Sequence, residues 1–139
     1  MILHNDAVDA ILTRRSIRSY QAKQISEDAL ETILTAGQFA PSGMNQQSAK
    51  AIVVQSKERM QQLVQLAKAA EQVDHNPFYD APTVILVFAD ATQLAPLEDG
   101  CNVLENMMLA AHALGLGSCW IYAVKVLFST EEGAAFQKE

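Results

Sequence analysis

Cysteine is scarce in this chain. Cys101 and Cys119 are the only two among 139 residues, they form no C-x-x-C pair, and no histidine stands at metal-ligand spacing from either. A disulfide framework and a cysteine-ligated metal are thereby excluded, and reduced, structural thiols in a cytoplasmic compartment are expected. Positive charge is scarce too: ten Lys and Arg stand against sixteen Asp and Glu, a formal charge of -6. Nucleic acid and anionic membrane are bound chiefly through spread positive charge, so neither is the expected partner. Long apolar runs are missing. Val84 to Ala89 is among the longest, far too short to cross a bilayer, and Met1-Ile2-Leu3-His4-Asn5-Asp6 turns polar before any signal-peptide core develops. No repeat, low-complexity tract or interdomain linker interrupts the chain, so one domain is expected over residues 1–139, with half of its residues apolar.

Against this acidic background Arg14-Arg15-Ser16-Ile17-Arg18-Ser19-Tyr20 gathers three of the ten basic residues into five positions. As an extended segment it places Arg14, Ser16, Arg18 and Tyr20 on one side and Arg15, Ile17 and Ser19 on the other. Two guanidinium forks beside a hydroxyl suit a phosphate monoester, which is held best by planar donors that never lose their proton. The alternative is that Arg14 and Arg15 close the preceding helix at the negative end of its dipole, with Arg18 solvated.

Asp6 predicts the cap of a helix through Thr13, with Val8, Ile11 and Leu12 on its buried face. Ser26, followed by two acids, predicts a second helix with Leu30, Ile33 and Leu34 as its stripe, ended by Gly37. The segment from Phe39 to Ser48 mixes Pro and Gly with short polar residues and reads as a turn that lines a ligand or simply connects. Ala51 to Val54 predicts a strand, Ser56 a helix through about Val73, and Asp74 to Pro82 a loop. Thr83 to Ala89, apolar on both faces, predicts a strand central in a covered sheet. Cys101 to Leu114 is an apolar, Met-rich helix that requires burial by the sheet or by a second subunit. Gly115-Leu116-Gly117 breaks it, Ser118 to Tyr122 predicts another strand, and Ser129 with Glu132 a capping box for the last helix.

Four motifs in order carry a resemblance. The chain is similar to the FMN-dependent nitroreductase family in R-R-S-I-R-S-Y after a short helix, A-P-S-G-M-N-Q-Q after the second, N-P-F-Y-D-A-P before the strand at Thr83, and E-N-M-M-L-A-A-H-A-L-G-L-G-S-C-W-I across the Met-rich helix and the strand expected after it. The resemblance runs from about residue 6 to the end. It implies an α+β, three-layer α/β/α nitroreductase-like fold with a central mixed sheet flanked by helices. It also implies an intertwined homodimer with two flavins at the interface. Positions matching Arg14, Arg15 and Ser16 are implied to bind the phosphate and ribityl chain of FMN, and Arg18 the pyrimidine end of the ring. Pro41, Ser42, Gly43 and Asn45 are implied to contact the flavin held by the partner subunit, with Gln47 close by, and Ile121, Tyr122 and Ala123 to run beside the ring. Two departures stand out. Gln47 is followed by Ser48 and Ala49 where the family has Pro and Trp, and the family's final strand, with its basic residue, is expected to be missing beyond Glu139.

The implied activity is hydride transfer from NADH or NADPH through FMN to a nitroaromatic, quinone or similar acceptor, with the chemistry on the flavin, no catalytic triad, no metal, and Arg18 stabilising the anion that develops on reduction. A non-enzymatic flavin or nucleotide binder, and an interaction protein without bound FMN, are the alternatives. Among the remaining residues, His112 reads as a hydrogen-bonded imidazole rather than a ligand with Glu105. Trp120 and Tyr122 read as core or flavin stacking, Phe78 and Tyr79 as pocket wall or packed loop, and Met107 and Met108 as interface filler.

Overall fold

The computed structural model describes residues 2–138. Six α-helices are seen among them: α1 Asp6–Thr13, α2 Glu27–Gln38, α3 Lys57–Glu71, α4 Pro96–Ala113, α5 Ala123–Leu127 and α6 Glu131–Gln137. Two strands, β1 Lys50–Val54 and β2 Val84–Phe88, pair as a two-stranded sheet. The chain divides into two compact units. The first comprises residues through Ile17, Ile25–Ile52 and Val87–Cys119; the second comprises Arg18–Gln24, Val53–Leu86 and Trp120–Glu139.

In the first unit α4 is the packing centre, with α1 and α2 against it. Pro96 opens α4 at a position where its missing N–H costs nothing, and Glu98 and Asp99 follow in the first turn, where the helix dipole favours acids. The helix therefore begins before the expected Cys101. Ile33, Ala40, Met107, Met108 and Ala111 are buried apolar side chains of this unit. Met107 is core rather than interface filler, because Gly37 opposite leaves room for it. A Cβ built on Gly37 would stand 2.8 Å from Met107 Cγ and 3.3 Å from Val103 Cγ1. Gly37 is thus a close-packing residue inside α2 and not its terminator, which is Phe39 at the C-cap. At the far end Gly115, at φ 75°, ends α4 as expected.

In the second unit α3 packs on α5. Ser56 caps α3 by accepting the Arg59 N–H, and Gln72 ends it in the left-handed region. Leu63, Ala67, Phe78, Leu86, Ala123 and Leu127 are buried. A Cβ on Gly133 would fall 2.1 Å from the Leu127 carbonyl oxygen, so the start of α6 lies directly on the end of α5. Phe78, 2% exposed, fills this core rather than a pocket wall. Its loop is tied by Asn76, whose Oδ1 accepts the Phe78 N–H at 2.9 Å and whose Nδ2 donates to Asp80 at 2.8 Å.

Four further expectations are corrected. Asn5, not Asp6, caps α1, its side chain accepting the Val8 N–H. Thr130, not Ser129, caps α6 through the Gly133 N–H. Ser118 to Tyr122 forms no strand beyond one bridge, and the turn of helix at α5 comes at once. Trp120 and Tyr122 are 50% and 63% exposed, so neither is core. β2 pairs with β1 alone among the described residues, so the central mixed sheet of the expected layering is represented by two strands. No helix among the described residues is long and apolar enough to cross a membrane.

Candidate functional site

In the first unit the start of the arginine motif lies at the C-terminal end of α4, and the proline-serine turn lies at its N-terminal end. α1 ends at Thr13, and Arg14 leaves it in extended conformation at φ -55°, ψ 136°. Ser16 then pairs with Ser118 in a parallel bridge, and the Ile17 N–H donates to the Ser118 carbonyl at 2.9 Å. Gly117 permits that approach, because a Cβ there would meet Ile17 Cβ at 3.0 Å.

The two adjacent arginines do different things. Arg15 Nη1 donates to the carbonyls of Leu12 at 2.8 Å and Arg14 at 2.7 Å, so this arginine is the one that closes the helix. Arg14 closes nothing with its side chain: Nη1 is buried and has no hydrogen-bond partner. The hydroxyl of Ser118, across the bridge from Ser16, is likewise buried and unpartnered. A cationic donor and a hydroxyl donor left over in the two segments that this bridge joins are the groups an oxyanion uses, since buried donors are otherwise almost always satisfied. Ser118 carries no signal of this in the sequence, where its apolar neighbours suggest only a strand.

The second motif forms a single 3-10 turn, Gly43–Asn45, inside the segment Pro41 to Gln47. Met44, Asn45 and Gln47 have φ of 54°, 55° and 48°. Asparagine tolerates that region, but methionine and glutamine do so at a cost of roughly 1 kcal/mol or more each. The turn is tied to its surroundings by three bonds and braced internally by a fourth. Gly43 N–H donates to Asp99 Oδ1 at 2.8 Å, Asn102 Nδ2 to the Pro41 carbonyl at 3.2 Å, Leu94 N–H to Gln46 Oε1 at 3.0 Å, and Gln47 N–H to Ser42 Oγ at 3.0 Å. Asn45 and Gln47 stay exposed, and so do the large apolar side chains of Phe39, Met44, Leu94 and Leu97. Strain of this kind clusters at ligand-contacting turns rather than at plain connections.

The remaining candidate residues lie in the second unit. Arg18 is exposed, Ile121 is half-buried, and Ala123 is buried in the α3–α5 core. Lys125 Nζ stands 5.7 Å from the centre of the Tyr122 ring. His112 belongs to the first unit, where it is hydrogen-bonded to Thr13. Among the described residues no group of three or more His, Cys, Asp and Glu is placed to hold a metal.

Residues 11–133 match the Nitroreductase family. The nitroreductase of Bacteroides fragilis, solved with FMN bound, superposes with a TM-score of 0.90 at 31% identity, over 97% of this chain and 79% of that one. That of Desulfitobacterium hafniense, also with bound FMN, gives 0.88 at 30% identity, over 98% and 80%. An FMN reductase [NAD(P)H] of Bacillus subtilis is 32% identical over 87% of this chain and 55% of its own length. A protein of Methanothermobacter thermautotrophicus is 34% identical over 83% of this chain and 60% of its own length. This α+β chain belongs to the nitroreductase family. It spans little more than half the length of the curated relatives it matches.

Proposed function

We propose that the chain is the flavin-holding part of an FMN-dependent oxidoreductase that takes hydride from NADH or NADPH and passes it to a nitroaromatic, quinone or similar acceptor. The observation that carries this reading is the pair of buried polar groups without partners, Arg14 Nη1 and the Ser118 hydroxyl, in the two segments joined by the Ser16–Ser118 bridge. Those donors fit the phosphate of FMN, and the Pro41 to Gln47 turn, with the exposed amides of Asn45 and Gln47, fits the ring of the FMN whose phosphate a second copy of the chain holds. The names of the relatives and the FMN in two similar structures support the same assignment.

FMN, when bound, supplies two-electron redox chemistry at its ring, and the chain supplies position and charge. Arg14 would neutralise the phosphate and the Ser118 hydroxyl would donate to it, with Ser16 paired to Ser118 across the bridge. Arg15 works indirectly, by closing α1 so that Arg14 leaves it extended. Arg18 carries the charge that favours reduction, and Ile121, Tyr122 and Ala123 are the proposed neighbours of the ring. The exposed Phe39, Met44, Leu94 and Leu97 support a homodimer, since apolar side chains around a strained turn gain by being covered by a second copy. A cytoplasmic location accords with two free cysteines.

The test is FMN titration of the purified chain, followed by NADH or NADPH oxidation with a nitroaromatic acceptor. Bound FMN with turnover is expected. A chain that stays colourless in excess FMN overturns the assignment, and a flavin-loaded chain inert toward every acceptor turns it into a flavin binder.

A further inference from the structure

We propose that Asp99 is a positioning residue: by accepting the Gly43 N–H it fixes the Pro41 to Gln47 turn in the shape that meets the flavin, an inference that rests on the function proposed above. Gly43 N lies 2.8 Å from Asp99 Oδ1. Asp99 is 2% exposed and is the buried charged side chain of the described core. Its other oxygen, Oδ2, is buried without a partner, so the bond from Gly43 is what orients the carboxyl.

The turn needs such an anchor. Met44, Asn45 and Gln47 all occupy the left-handed region, which an L-residue leaves unless its surroundings hold it there. The other links to the neighbourhood of α4, from Asn102 to the Pro41 carbonyl and from Leu94 to Gln46, are exposed. Water replaces an exposed bond at little cost, whereas the Gly43–Asp99 bond is part-buried and its acceptor sits on a side chain 2% exposed, so its loss is less readily made good by solvent. Gly43 also lies against the start of α4. A Cβ there would meet Ala95 Cβ at 3.3 Å and Asp99 Oδ1 at 3.9 Å, so the backbone is drawn onto the first turn of the helix. The dipole of that helix end favours a carboxyl in this place. With Gly43 held inward, the exposed Asn45 and Gln47 side chains are presented outward.

A burial role alone and a positioning role predict different results. If Asp99 only stabilises the fold, Asp99→Ala lowers the melting temperature and the folded chain binds FMN as before. If Asp99 sets the turn, the Asp99→Ala chain binds FMN about tenfold or more weaker, and the Gly43 amide exchanges about tenfold faster with solvent deuterium. Asp99→Asn keeps an acceptor oxygen, so its affinity and Gly43 exchange stay within about threefold of the unaltered chain. The experiment is FMN titration by flavin fluorescence on the full chain and both variants, with hydrogen exchange of the peptide containing Gly43. A folded Asp99→Ala chain with unchanged FMN affinity overturns the proposal. Should that chain not fold, Asp99→Asn decides: a folded asparagine chain with FMN affinity lost overturns it equally. Failure of the unaltered chain to take up FMN strikes the function instead, and the exchange rates then decide whether Asp99 holds the turn.

Discussion

His112 donates a hydrogen bond from Nε2 to the Thr13 hydroxyl at 2.8 Å, joining α4 to the last residue of α1. The direction is set by proton count. Thr13 has one hydroxyl proton and gives it to the Asp9 carbonyl, 2.5 Å away, so the imidazole must be the donor. The arginine segment begins at the next residue, which makes this bond the clamp at its root.

Replacing His112 by Ala is expected to cost about 1 kcal/mol, the usual net worth of such a bond, measured by urea unfolding. A glutamine there reaches Thr13 with its amide and loses less. FMN affinity is expected to fall in the alanine chain, because Arg14 is no longer delivered from a fixed helix end.

Arg14→Ala removes a charge-assisted donor and is expected to weaken FMN binding by roughly 1.5–3 kcal/mol, about ten- to a hundredfold in the dissociation constant. Stability in the absence of FMN is expected to rise or stay level, since an unsatisfied buried group is removed with it. Calorimetric titration and thermal melts check the two halves separately.

Gly37→Ala tests the packing of α2 on α4. Alanine is the better helix former by about 1 kcal/mol, which taken alone would stabilise α2. The added methyl would stand 2.8 Å from Met107 Cγ, and overpacking of this kind costs typically about 1–3 kcal/mol, so net destabilisation is expected. A second change, Met107→Ala, is expected to remove that collision, giving a measurable coupling between the two positions.

Asp90 gives the pH prediction. Thr92 donates its backbone N–H and its hydroxyl to the Asp90 carboxylate, and Gln93 adds an amide, which together hold the carboxyl below the ordinary aspartate range. A carboxyl more acidic in the folded chain than in the unfolded one stabilises the fold above its unfolded pKa, and the benefit is lost as pH falls through the folded value. Thr92→Val is therefore expected to destabilise the chain at neutral pH and to approach parity with the unaltered chain in acid. Unfolding at pH 6 and at about pH 2.5 measures the difference.

Much of the helical scaffold is legible from local chemistry. Ser26 and Ser56 announce α2 and α3 because a small hydroxyl before acidic or polar residues has one economical use. Two of the errors arise where a residue's partner is distant in sequence, and others where neighbouring signals compete. Gly37 looks like a helix end until Met107 is placed opposite it, seventy positions on. Ser118 to Tyr122 has the apolar content of a strand, but among the described residues its strand-like pairing is the single bridge to Ser16. Thr130 and Ser129 are adjacent hydroxyls, and nothing local decides between them. The start of α4 is readable in Ala95-Pro96 with two acids behind it, yet the apolar run from Cys101 is the louder signal and masks it. Without that start, Asp99 stands outside any element and its link to Gly43 has no basis in sequence. The family likeness, not periodicity, points to the arginine segment and the proline-serine turn.

Arg14 and Arg15 show why chemical identity is a poor guide to interchangeability. The second spends its guanidinium on carbonyl oxygens of its own chain, a task that a lysine ammonium performs nearly as well. The first keeps a flat, rigid fork uncommitted, and a point charge on a flexible stem would not replace it. A conservative exchange should accordingly pass almost unnoticed at one site and be felt sharply at its neighbour, so any survey of tolerated changes along this segment would draw a sudden step between two like letters.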